Sequence, residues 1–128
     1  MKNLFAIIAL IFSLSAFSQS EVKITPKKCM PKKGYHLRLE KVFDDSRCPE
    51  GVSCVWAGEV SAIIRVYKDR KFMESKTLKF NPKNTAENIN WFSNYYSKKI
   101  KSVAVFPYPK NGVTVKAKKK FIGITFEN

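Results

Sequence analysis

The residues with the most chemical character lie between Asp44 and Val60, in the run DDSRCPEGVSCVWAGEV. Two cysteines six positions apart, Cys48 and Cys54, enclose Pro49 and Gly51, residue types that suit a tight loop. Outside a reducing compartment that spacing predicts a Cys48–Cys54 disulfide. Closing so short a loop removes about 2 kcal/mol of chain entropy from the unfolded state. Cys29 is the odd cysteine and is open to three readings: a free thiol, an intermolecular bridge, or a rival partner for one of the other two. A structural metal site needs about four ligands, whereas the chain has one histidine and no Cys-x-x-Cys pair. Neither a metal nor a cofactor is expected.

Asp45, Arg47, Glu50, Trp56 and Glu59 stand around the two cysteines and form a candidate binding loop. Two arrangements suit them. In one, the disulfide packs on Trp56, Gly58 permits a close approach, and Arg47 pairs with Asp45 or Glu59 to brace the loop, as disulfide–tryptophan clusters do in other β folds. In the other, Arg47, Glu50 and Glu59 surround an aromatic floor and meet a ligand or partner. Catalysis has less to stand on. Asp44, Asp45, Glu50 and Glu59 could furnish a two-carboxylate hydrolase pair, yet aspartates beside an arginine and a tight turn more often cap and brace it. His36 is the lone histidine and falls on the polar side of an alternating run, and no Gly-x-Ser-x-Gly, His-Glu-x-x-His, P-loop or dinucleotide fingerprint is present. The expectation is that the protein is not an enzyme.

The run Asp45-Ser46-Arg47-Cys48-Pro49, followed by Cys54, Trp56, Ala57, Gly58 and Glu59, resembles a signature of small exported bacterial β proteins, many of them lipoproteins and mostly uncharacterised. The later Pro107-Tyr108-Pro109 is similar to theirs as well, and the likeness spans roughly residues 37–126. It implies a shared Cys48–Cys54 bridge and a shared β fold, and it carries no activity. The lysine load and Cys29 depart from the pattern.

The elements around this run read mainly as strands. Tyr35, Leu37 and Leu39 alternate with His36, Arg38 and Glu40, the mark of a half-buried strand; the phase slips near Glu40–Lys41, which predicts a bulge. Cys54 to Tyr67 reads as one long strand, with Cys54, Trp56, Gly58, Val60, Ala62, Ile64 and Val66 on one face. A polar turn at Lys68–Lys71 leads into Phe72–Phe80, making a hairpin. Residues 81–94 are Asn-rich and read as a loop or one short turn of helix. Tyr95 to Phe106 reads as a strand ended by Pro107 and Pro109. Asn111-Gly112 is a turn signal, after which Val113, Val115 and Ala117 alternate, and Ile122, Ile124 and Phe126 form a last apolar face. The fold class that follows is mainly β: a single-domain β-sandwich or small barrel of six to seven strands.

The remaining features concern placement and partners. Residues 1–18 have a basic start, an apolar run and small residues at Ala16 and Ser18, and are expected to be a signal peptide. Residues 19–34 read as an extended N-terminal arm and 35–128 as the β domain. A periplasmic or secreted protein is therefore expected, with no membrane span. Its formal net charge is +14, from 24 basic against 10 acidic residues. That imbalance suits an anionic polymer, and the expected compartment makes an envelope polysaccharide, or another envelope protein, the expected partner ahead of nucleic acid. Lys116, Lys118 and Lys120 are the candidate polyanion-binding ribbon, set on one face of the alternating run. The expected function is an exported, non-catalytic binding module. The alternative is an inhibitor of an extracellular hydrolase acting through the stapled 44–59 loop, and a third reading is an envelope protein with no discrete ligand.

Overall fold

The protein is described from a computed structural model covering residues 20–127; the expected signal peptide lies outside the described residues. Six strands form two antiparallel three-stranded sheets. One has β2 (Tyr35–Phe43), β3 (Val60–Lys68) and β4 (Lys71–Phe80) in chain order, and the other places β6 (Phe121–Phe126) between β1 (Glu21–Ile24) and β5 (Ile100–Phe106). The fold is mainly β and the sheets do not close into a barrel. Among the described residues, no helix is long and apolar enough to cross a membrane.

The core fills the space between the sheets. Val60, Ala62, Ile64 and Val66 alternate along β3 with no exposed area, and Ile122 and Ile124 do the same on β6. Phe126 adds to β6, and Ile24, Leu37, Leu39, Leu78, Ile100 and Val105 join the cluster from the flanking strands. β-Branched side chains at period two suit this role, because each strand buries one pleated face. The β2–β3 register shifts between Leu39 and Lys41, which is the bulge the phase slip predicts. The β3–β4 turn has Asp69 and Arg70 at φ of 51° and 66°, the two positive values that match the twist of a tight hairpin. Asp69 Oδ1 also accepts a hydrogen bond from the Gly34 amide at 2.8 Å, tying the turn to the start of β2.

The N-terminal segment enters the fold as well: β1 pairs with β6 from Glu21 to Ile24, and Leu39 N donates to Thr25 O at 3.1 Å, joining the sheets along one side. On the other side a helix, α1 (Thr85–Ser93), packs across β4 and β5. This stretch was expected to be a loop or a single turn, because its asparagines favour irregular backbone. Three of its five asparagines, Asn81, Asn88 and Asn94, instead make side-chain bonds that shape the helix and its ends. Asn81 Oδ1 accepts from Lys83 N and Asn84 N, both at 2.9 Å, and organises the entry. Asn88 Nδ2 donates to Lys79 O at 2.8 Å and docks α1 on β4, while Asn94 Nδ2 reaches back to Trp91 O at 3.1 Å.

Two strand expectations are corrected at the ends. β5 begins at Ile100 and not at Tyr95, since Tyr95 and Tyr96 still belong to the turn after α1; Tyr96 meets Phe126 edge-to-face with centroids 5.7 Å apart. Residues 113–116 are irregular and Ala117–Lys119 is a 3-10 turn, closed by Lys119 N donating to Lys116 O at 3.0 Å. Among the described residues, the alternation there has no partner strand to pair with.

Phe92 carries the helix into the core with no exposed area. Phe92→Ala is expected to cost about 3–5 kcal/mol in urea unfolding. A loss below 1 kcal/mol would mean that α1 is a surface turn with no part in the core.

Candidate functional site

The Cys48–Cys54 disulfide is present, with Cα atoms 5.9 Å apart, and Cys29 is a free, exposed thiol. The bridge closes one end of a loop that leaves β2 at Phe43 and enters β3 at Val60. Below the bridge the loop's two arms run side by side. Ser46 N donates to Glu59 O at 2.8 Å, Cys48 N donates to Ala57 O at 3.1 Å, and Ser46 Oγ accepts from Glu59 N at 3.2 Å. The approach is close enough to dictate a residue type. Gly58 has φ +75°, and a Cβ there would lie 2.0 Å from Ser46 O. Its obstacle is backbone, so no side-chain rotation relieves it.

Arg47 ties this loop to the end of β5. Its Nε and Nη2 donate to Asp45 Oδ1 and Oδ2 at 2.9 and 2.8 Å, the forked geometry that guanidinium and carboxylate share. Nη1 donates to Val105 O, and Nη2 also reaches Pro107 O at 3.2 Å. The guanidinium lies 4.9 Å above the Tyr108 ring. Only 10% of the Arg47 side chain is exposed, and four of its five guanidinium N–H donors are spent on this frame. Burial would raise the Asp45 carboxyl, but the hydrogen bonds and charge of Arg47 outweigh it and hold that group below its ordinary value. A second tie runs from Glu50 N to Pro109 O at 2.9 Å, with a parallel bridge between Glu50 and Lys110.

The structure therefore brings Asp45 and Arg47 together and disperses the other expected members. Glu59 faces β4, where Asn81 Nδ2 donates to it at 3.1 Å and Lys79 lies 3.8 Å away. Glu50 pairs with Lys110 at 3.7 Å on the exposed side. Trp56 is 63% exposed and forms no buried floor. The long strand expected from Cys54 starts only at Val60, because the positive φ of Gly58 breaks the extended path. Lys116, Lys118 and Lys120 do not share a strand face, since Lys118 sits in the 3-10 turn that the other two flank. Tyr108, the ring under Arg47, went unrecognised as a site residue; its signal was an aromatic held between two prolines.

Two surfaces result. Under the loop, a groove of about 410 Å³ opens between the sheets, lined by Ala57, Val60, Phe80, Val103, Val105 and Tyr108 among others. Its titratable lining groups are Arg47, already held by Asp45, and the Tyr108 phenol, so it offers room for an apolar group. Among the described residues, no group of three or more His, Cys, Asp or Glu could hold a metal ion. Above the frame, Val52, Trp56 and a fully exposed Val55 project from the loop, and Tyr108 and Val113 are exposed on the adjoining segment.

Replacing both Cys48 and Cys54 by alanine is expected to lower unfolding free energy by about 2 kcal/mol. Gly58→Ala is expected to cost about 2 kcal/mol or more, through the left-handed backbone and the backbone clash together. Because its folded pKa is depressed, Asp45 contributes stability that is full above the ordinary carboxylate range and is lost as pH falls through the folded value. Asp45→Asn should flatten that acid limb in pH-dependent thermal melts; an unaltered limb would show that the pair contributes nothing.

No protein-family model, no curated protein and no solved structure matches the chain, and the site has to be understood from its own geometry.

Proposed function

We propose that the protein acts outside the cytoplasm as a non-catalytic interaction module that inserts the Val52–Val55–Trp56 tip of its stapled loop into a cleft on an envelope or secreted protein. The observation that carries this reading is the pairing of a rigid frame with an apolar tip. The disulfide, Gly58 and the Arg47 fork fix the base of the loop, and Val55 and Trp56 at its end are left in solvent. A stable monomer gains nothing from holding an indole in water. Burying Trp56 against a partner contributes on the order of 3 kcal/mol, and a loop already ordered loses little entropy on binding. An inhibitor of an extracellular hydrolase is the specific form of this function that such a loop suits, with the tip occupying the enzyme's cleft. The disulfide and the leader expected at residues 1–18 support the compartment.

A photo-reactive residue placed at position 55 in the native organism tests the reading, with the same residue at Lys101 on β5 as control. The expected outcome is one protein adduct specific to position 55 and abolished by Trp56→Ala. The purified pair should then bind almost equally well in high salt, since apolar insertion is little screened. Trp56→Ala itself should leave the unfolding free energy within about 0.5 kcal/mol of the parent, as exposed substitutions do. Equal labelling at positions 55 and 101, or binding that collapses in salt, would sink the proposal.

A further inference from the structure

The β2–β3–β4 sheet has a second face, turned away from the core, and its register collects cationic and aromatic side chains. Across β2 and β3, Arg38 stands directly opposite Arg65, and His36 opposite Tyr67. Across β3 and β4, Tyr67 stands opposite Phe72. Directly paired residues of a sheet have Cβ atoms about 5 Å apart, and like charges at that spacing destabilise it. The chain contains four arginines against twenty lysines, and two of those four share this single cross-strand pair.

The two guanidiniums are unequally compensated. Arg65 Nη2 lies 3.1 Å from Glu40 Oε1 on the bulge of β2. Arg38 has no ion-pair partner among the described residues. Aromatic rings organise both: the Arg38 guanidinium lies 5.2 Å from the Tyr67 centroid, Arg65 lies 5.5 Å from that of Phe72, and the two rings meet edge-to-face at 5.9 Å. Contact of this kind uses the flat face of a guanidinium and leaves its N–H edge for a carboxylate or phosphate. Arg65 Nε and His36 Nε2 are both buried without a hydrogen-bond partner, so the face leaves some of its own polar groups unsatisfied. Tyr67 is buried under Arg38, whereas Phe72 is 55% exposed.

We propose that this face binds an acidic polysaccharide, with a sugar carboxylate bridging the N–H edges of Arg38 and Arg65 and the sugar ring lying on Phe72. The bridging carboxylate relieves the repulsion within the arginine pair. Single-stranded nucleic acid is less well matched, because it is held by several open rings in series, and Phe72 is the one open ring of this cluster. The site is independent of the loop tip, since it uses different residues and a salt-sensitive interaction.

Polygalacturonate is the test ligand, measured by titration calorimetry at low and physiological ionic strength, with dextran and oligothymidylate in parallel. The expected result is binding to polygalacturonate that weakens with salt and no binding to dextran. Arg38→Gln/Arg65→Gln removes both charge-assisted contacts, each worth about tenfold, and should weaken it about a hundredfold, with thermal stability unchanged or raised. Lys116→Gln/Lys118→Gln/Lys120→Gln removes more charge and should weaken it less. Arg38→Lys/Arg65→Lys keeps the charge without the fork and guards against a folding failure of the glutamine variant; it should also lose most of the affinity. The proposal is overturned if polygalacturonate does not bind, or if the triple lysine variant loses as much as the arginine pair. It is equally overturned if the Arg→Lys variant binds like the parent, or if oligothymidylate binds more tightly.

Discussion

The shape of the stapled loop depends on the near-complete burial of one positive charge. Removing a guanidinium from water carries a desolvation penalty of several kcal/mol, and only well-placed acceptors offset it. Asp45 supplies the opposing charge from within the loop; Val105 and Pro107 supply carbonyls from the end of β5. Arg47 can be satisfied only when the loop lies against that strand end. The same requirement fixes the path between Ser46 and Glu59, where nothing larger than glycine fits at position 58. The disulfide narrows the loop, but it is the arginine that tells the loop where to lie.

Much of the sheet architecture was legible because its signals are local. Alternation from Val60 to Tyr67, the phase slip near Glu40 and the polar Lys68–Lys71 turn each correspond to an observed element. The cysteine pair was legible for the same reason. Period two misled where it continued by chance, through Cys54 and Trp56 into an irregular loop, and through Val113 to Ala117 where no neighbouring strand exists among the described residues. The helix was hidden because asparagine lowers helix propensity on average, and composition does not reveal which side-chain bonds Asn81, Asn88 and Asn94 make. In the site, the Asp45–Arg47 brace was one of the readings open from adjacency. Tyr108 and the Arg38–Arg65 pair were not, since contacts between distant segments depend on register and loop path.

The two surfaces are mechanically connected. The loop is the connection between β2 and β3, and those strands carry Arg38 and Arg65 on their outer face. β3 is the central strand of its sheet, and its inner face is wholly buried. Both surfaces are thus anchored in the least deformable part of the molecule, which suits recognition by preformed geometry.

The short spacing between Cys48 and Cys54 also bears on the order of events in biogenesis. Two thiols so close in sequence meet on the timescale of local loop closure, tens of nanoseconds, long before strands from opposite ends of the chain can pair. Cys29 lies nineteen residues upstream of Cys48, and the longer loop costs about 1 kcal/mol more to close. An unfolded chain in an oxidising compartment therefore favours this bridge over either pairing with Cys29. The statistics of short loops thus leave Cys29 as the thiol without a partner, which is its state in the fold.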